Sequence, residues 1–243
     1  MNIVIDQGNA SAKVALFNGD RLMVSFIFKP LKKSDVRKIL HQYSPRRGIL
    51  SSVAGMDEAV VTSLKEGLEL FVVLDATVSL PIEVMYKTPE SLGKDRIAAV
   101  VGAQFAHPGK DILVIDAGTA ITYDVLEAGS RYLGGNISPG MTTRFRSLKM
   151  CTERLPMLDE QGDLPELGYS TETAIRSGVV KGVIYEMDTY IAEYKLKYPD
   201  LFVFLTGGHS FYFETRLKNS TFADVNLVLK GLNRILNYYN VKD

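Results

Sequence analysis

The chain has 243 residues, 46% of them hydrophobic and 23% charged, the balance of an ordinary globular protein that can bury a sizeable core. Lys plus Arg equals Asp plus Glu at 28 each, so net charge favours neither nucleic acid nor an anionic membrane as a partner. A single cysteine, Cys151, excludes an intramolecular disulfide framework, and His41, His107 and His209 show no metal-ligand spacing.

The N-terminus enters a strand pattern at once, with Ile3, Val4 and Ile5, which leaves no room for a signal peptide. No apolar run approaches the roughly 20 residues of a membrane span. A cytoplasmic protein is expected.

Residues 3–9 read Ile-Val-Ile-Asp-Gln-Gly-Asn, a short β-branched run ending in a tight turn. Lys13 to Phe17 and Leu22 to Phe28 follow as strands joined by the hairpin signal Asn18-Gly19-Asp20. Residues 34–41 and 57–66 carry helical patterns and alternate with strand-like Gly48 to Val53 and Leu70 to Leu74. Helix Ile97 to Phe105 comes next. The Pro/Gly punctuation of Ala106 to Lys110 marks a boundary, dividing the chain into lobes 1–109 and 110–243.

The second lobe restarts the pattern. Residues 113–119 read Leu-Val-Ile-Asp-Ala-Gly-Thr, and Ala120 to Leu126 and Tyr132 to Ile137 form a second meander around Glu127 to Ser130. Thr171 to Tyr194 is the clearest helix, with Ile175, Val179, Val183, Met187, Ile191 and Tyr194 at helical spacing, Thr171 as its N-cap and Pro199 just past its end. Strand Leu201 to Leu205, a Thr206-Gly207-Gly208 turn and a final helix from about Asp224 to Tyr239 complete the half. Two meanders, each followed by strands interleaved with helices, predict an α/β fold of two mixed sheets covered by helices, with a cleft between the lobes.

One Asp-x-Gly turn reads simply as a strand end. Two copies, each closing a similar strand and opening a similar meander, read as a paired phosphate site. Glycine lets backbone N–H groups approach a ligand and form an anion-binding concavity. Asp6 and Asp116 supply carboxylates for a cation that bridges to phosphates, Asn9 and Thr119 add short polar groups, and Lys13 adds a point charge.

The ordered motifs resemble the acetate and sugar kinase/actin superfamily, whose lobes are ribonuclease-H-like, and within it type III pantothenate kinases. They are Asp6-Gln7-Gly8-Asn9-Ala10-Ser11-Ala12-Lys13, Gly93-Lys94-Asp95-Arg96, Asp116 to Thr122, Gly134 to Gly140, residues 171–178 and Thr206-Gly207-Gly208. Ala10 stands where the family pattern has Thr.

The resemblance implies ATP-dependent phosphorylation of pantothenate to 4'-phosphopantothenate, the first step of coenzyme A synthesis, by a homodimer. It implies Asp95 as the base, and Tyr86, Gly93, Lys94, Arg96 and Thr171 as substrate contacts, Thr171 reaching the partner subunit's substrate. It also implies residues 6–13 and Thr119 for ATP, a monovalent cation (K⁺ or NH₄⁺) at Asp116, and Mg²⁺ or another divalent cation with the nucleotide. Gly207 and Gly208 let the adenosine portion approach the backbone. Gly178 and Gly182 make a small-residue face for close helix packing. On the residues alone, Asp95-Arg96 also reads as an ion pair at a helix start, and Tyr86 as a half-buried strand tyrosine. A sugar, acetate or polyphosphate kinase or phosphatase, or a non-catalytic nucleotide-responsive regulator, are the competing readings. No appended helix-turn-helix or basic stripe favours DNA binding.

Overall fold

The computed structural model describes residues 1–9, 11–52 and 55–239. The expected strand end at Val53 and the turn residue Ala10 lie outside them. Two compact units emerge: Met1–Gly109 with 128–133 and 226–243, and Lys110–Glu127 with Gly134–Val225.

In the first unit, β1 (Asn2–Gln7), β2 (Ala12–Asn18) and β3 (Arg21–Phe28) form an antiparallel meander. Gly19, at φ 59°, supplies the left-handed residue of the β2–β3 turn. Then come α1 (Lys33–Tyr43), β4 (Arg47–Ser52), α2 (Glu58–Gly67), β5 (Leu70–Val73), β6 (Glu83–Val84) and α3 (Lys94–Ala106). The sheet order is β3-β2-β1-β4-β5, with β4 parallel to β1 and β5 parallel to β4. Ile3, Ile5, Val14, Leu16 and Leu50 pack on one face against Val36, Ile39, Val60 and Leu64 of α1 and α2.

The second unit repeats the arrangement. It contains β7 (Ile112–Ala117), β8 (Ala120–Glu127), most of β9 (Arg131–Pro139), α4 (Met141–Cys151), α5 (Thr171–Lys197), β10 (Phe202–Thr206), α6 (Ser210–Glu214) and β11 (Phe222–Ala223). The strand order is β11-β10-β7-β8-β9, with β10 parallel to β7 and β11 parallel to β10. Renumbered within its own half, this is the same 3-2-1-4-5 order. The sequence duplication is therefore a structural one, and the fold is the expected pair of ribonuclease-H-like α/β sheets. The first residues of β9, Arg131 and Tyr132, pair with β6 inside the first unit.

The last helix, α7 (Leu227–Tyr239), belongs to the first unit. Asn2 of β1 donates to Asn233 (2.8 Å) and Asn237 (2.9 Å), and Arg47 of β4 donates to Asn237 (2.5 Å). The helix therefore docks by a polar register as well as by its apolar face. It crosses α3 at Gly102 and Gly231. A side chain at Gly102 would strike the Leu227 carbonyl, and one at Gly231 the Ala98 carbonyl.

The cap of α5 differs from expectation. Ser170, not Thr171, is the N-cap: its hydroxyl accepts from Thr173 N–H (3.2 Å), while Thr173 Oγ1 accepts from Ser170 N–H (2.9 Å). The reciprocal pair satisfies two backbone donors, which Thr171 could not do from one residue later. No helix among the described residues is long and apolar enough to cross a membrane.

Candidate active site

In the first unit the turn after β1 closes tightly, with Gly8 N–H donating to the Ser11 carbonyl at 3.0 Å. Asp6 and Gln7 end β1, and the antiparallel register sets Lys13 directly opposite Asp6. Gln7 turns its amide onto the Gly8 carbonyl (2.8 Å), and Asn9 is exposed. Ser11 is half-buried, whereas Ala12 is fully buried and offers a ligand only its backbone.

Asp6 is pushed up from 3.8 to about 6. Burial is the main cause; the Asp95 carboxylate adds to it, and Lys13 opposes it. The interaction brings together two residues far apart in the chain, at the ends of different elements. Asp95 lies in the first turn of α3, where its Oδ1 accepts from Arg96 N–H at 2.9 Å. Gly93 is the helix N-cap, and a Cβ there would stand 2.6 Å from Asp95 Oδ1, so any larger residue would push the carboxylate aside. The Arg96 side chain is buried, at 6% exposure, with its guanidinium 5.8 Å from the centre of the Tyr86 ring. Asp6, Lys13, Tyr86, Gly93, Asp95 and Arg96 thus converge in one unit. Lys94 does not join them: its ammonium reaches back to the Pro89 carbonyl at 3.4 Å.

In the second unit Asp116 is the penultimate residue of β7 and Thr119 stands exposed on the following turn. Gly207, at φ 90°, packs against Asp116, where a side chain would run into the carboxylate and the Ala117 backbone. Gly208 has open space around it. His209 N–H donates to the Ala117 carbonyl (3.1 Å). On the other side, the Thr119 carbonyl accepts from Gly140 N–H (2.9 Å) and from Thr143 Oγ1 (2.7 Å). Thr171 is the exposed first residue of α5.

Two features were not visible in the sequence reading. The first is Thr143, which no motif marks. The second is a hydroxyl in register beside each aspartate, Ser51 beside Asp6 and Thr206 beside Asp116, both buried. Thr206 was already marked by the Thr206-Gly207-Gly208 motif, and the strand duplication, carried to the fourth strand of each half, was the signal that could have found its counterpart Ser51.

Among the described residues no group of three or more His, Cys, Asp or Glu side chains is placed to hold a metal ion. A hydrated Mg²⁺ does not require such a cage, since it is commonly held by one or two carboxylates together with substrate phosphates. Asp6, a partly buried carboxylate near the end of β1 beside the first turn, fits that mode.

Duplicated sheets of this order, each with an Asp-x-Gly turn after its first strand, define the actin-like kinase fold. A ROK hexokinase from Thermus thermophilus shares it at TM-score 0.55, 13% identical and covering 98% of this chain and 99% of that one. A ROK family glucokinase from Streptomyces griseus does so at TM-score 0.54, 11% identical and covering 98% of each. The chain belongs to the type III pantothenate kinase family, whose model matches residues 2–193. A type III pantothenate kinase of Bacteroides fragilis is 49% identical over 241 residues, 99% of each chain, and one of Phocaeicola vulgatus is 45% identical over 98% of each.

Proposed function

We propose that this chain transfers the γ-phosphoryl group of ATP to the hydroxyl of pantothenate, giving 4'-phosphopantothenate and ADP at the entry to coenzyme A synthesis. Family membership carries the reaction class. The observation that carries the site is the meeting of the Asp6 turn with the Asp95–Arg96–Tyr86 group.

The hydroxyl oxygen attacks the γ-phosphorus in line as the bond to the β,γ-bridging oxygen breaks. Asp95 receives the hydroxyl proton. In a loose transition state that proton leaves late, so an ordinary carboxylate in the right place suffices. The Arg96 fork, steadied by the Tyr86 ring, suits the pantothenate carboxylate. Backbone N–H groups of residues 6–13 and Lys13 hold the phosphates, and Thr119 contacts the nucleotide. A divalent cation, when bound, neutralises β- and γ-phosphate charge.

Asp116 is the proposed seat of a monovalent cation, K⁺ or NH₄⁺, with Gly207 and Gly208 beside the adenosine. The Asp6 turn belongs to the first unit and the Asp116 turn to the second. A homodimer in a cytoplasmic setting completes the reading. The outer face of α5 supports the dimer: Gly178, Tyr185, Thr189, Ala192 and Leu196, all exposed, recur at spacings of seven, four, three and four along it, with open space at Gly178 and Leu196 at 87% exposure. Thr171 begins the same helix and is proposed to reach the partner's substrate.

The test is ATP consumption by the purified protein with pantothenate against a panel of sugars. Turnover is expected with pantothenate, and turnover with a sugar alone rejects the assignment. Asp95→Asn should fold, bind ATP and lose roughly 10²-fold or more in kcat; near-normal turnover removes Asp95 from the role of base.

A further inference from the structure

The second unit contains a polar cluster that the proposed chemistry does not use. Glu186, midway along α5, accepts hydrogen bonds at Oε1 from Tyr123 OH (2.7 Å) and Ser138 Oγ (2.5 Å), and at Oε2 from Arg144 NH2 (2.5 Å). These donors come from β8, β9 and α4. Burial works against the charge, but the bonds from Arg144, Ser138 and Tyr123 hold the carboxyl below the ordinary range. Tyr123 is fully buried and its ring stacks on Tyr190, with centroids 4.0 Å apart. The guanidinium also lies beside Gly182, one turn before Glu186, at ordinary contact distance from where a Cβ there would stand.

Arg144 also donates from Nε to the Pro139 carbonyl at 2.8 Å. Its neighbour Thr143 and the helix N-cap Gly140 are the two residues that hold the Thr119 carbonyl. The start of α4 is therefore a wedge with two contacts. One side is anchored to Glu186, and the other fixes the peptide that follows Thr119. Gly140 allows no substitute there, since a Cβ would strike the Gly118 and Thr119 carbonyls. With that carbonyl tied down, the backbone that carries the exposed Thr119 side chain is held before any ligand arrives.

We propose that Arg144 and Glu186 are positioning residues for the nucleotide half of the reaction: through the start of α4 they preorganise the Asp116–Thr119 turn for ATP. The inference rests on the reading of Thr119 as an ATP contact. Neither residue touches a reacting atom; the pair acts by holding geometry, which lowers the cost of binding.

Steady-state kinetics of Arg144→Ala, Arg144→Lys, Glu186→Gln, Thr143→Val and Thr119→Ala test it, with direct titration of ATP as a second readout. Arg144→Ala and Glu186→Gln should each raise the KM and Kd for ATP roughly tenfold, leaving the KM for pantothenate unchanged. Thr143→Val should do the same, and Arg144→Lys should recover part of the loss. A fall in Tm with ATP affinity unchanged in these variants makes the cluster merely structural and overturns the proposal. If Arg144→Ala does not fold, Glu186→Gln and Thr143→Val decide the question. If Thr119→Ala weakens ATP but Thr143→Val and Glu186→Gln do not, the positioning inference fails alone. If Thr119→Ala leaves ATP binding unchanged, the reading of that turn fails and the inference with it.

Discussion

At Asp6, burial and a second carboxylate both favour the protonated form, while Lys13 favours the ionised one. The folded value of about 6 lies above the ordinary aspartate value of 3.8, so the folded chain holds this proton more tightly than the unfolded chain does. Stability from this group is full below the unfolded value and is lost as pH rises through the folded one. The loss is on the order of 3 kcal/mol at neutral pH. Asp6→Asn should therefore raise the Tm of the ligand-free protein at pH 7.5, and the advantage over wild type should shrink to nothing as pH is lowered towards 4. Thermal denaturation across that range checks it; a difference independent of pH would reject the assigned cause. The sequence marked Asp6 as a carboxylate where a strand runs into a tight turn, and it lies there. Its raised value was not legible, because the burial that chiefly raises it and the Asp95 charge that adds to it both come from packing that no local pattern records.

Between elements, a very close approach is the crossing of α3 and α7. Gly102 and Gly231 face each other there, and the atoms a new Cβ would meet are backbone carbonyls, which cannot rotate away as a side-chain tip can. Gly231→Ala is expected to cost about 1–3 kcal/mol through overpacking, despite the better helix propensity of alanine. Urea denaturation would measure it, and a gain in stability would show that the helices can separate without loss. Most elements were readable from periodicity: the β1–β2–β3 meander, its repeat in β7–β8–β9, and the long helix α5. The cap of α5 was misplaced by one residue, because Ser170 and Thr171 are both competent caps and only the reciprocal bond with Thr173 separates them. Helix α4 was not marked, since its buried residues, Met141 and Phe145, show too little of a stripe over so short a length.

At the scale of the whole molecule, the proposed homodimer makes the exposed face of α5 an interface. Tyr185 and Leu196 are 59% and 87% exposed, an unusual position for large apolar side chains on a helix whose other face is core. The double substitution Tyr185→Glu with Leu196→Glu should convert a dimer to a monomer in sedimentation velocity. A wild-type chain sedimenting at 26.9 kDa would sink the dimer itself.

By itself the sequence determined the duplication, the two Asp-x-Gly turns, the strand–helix alternation and the ordered motifs that point to pantothenate. All of these are written in residues close together in the chain. Only the tertiary structure decided that α7, the last helix of the second half, packs on the sheet of the first, through Asn2, Arg47, Asn233 and Asn237. The tertiary structure also set Asp95 against Asp6, buried Arg96 beside Tyr86, and tied Glu186 to three other elements. The reason is physical. An apolar stripe says that a face will be buried but not against what, and a polar side chain gives no sign of its partner until packing brings the two within bonding distance.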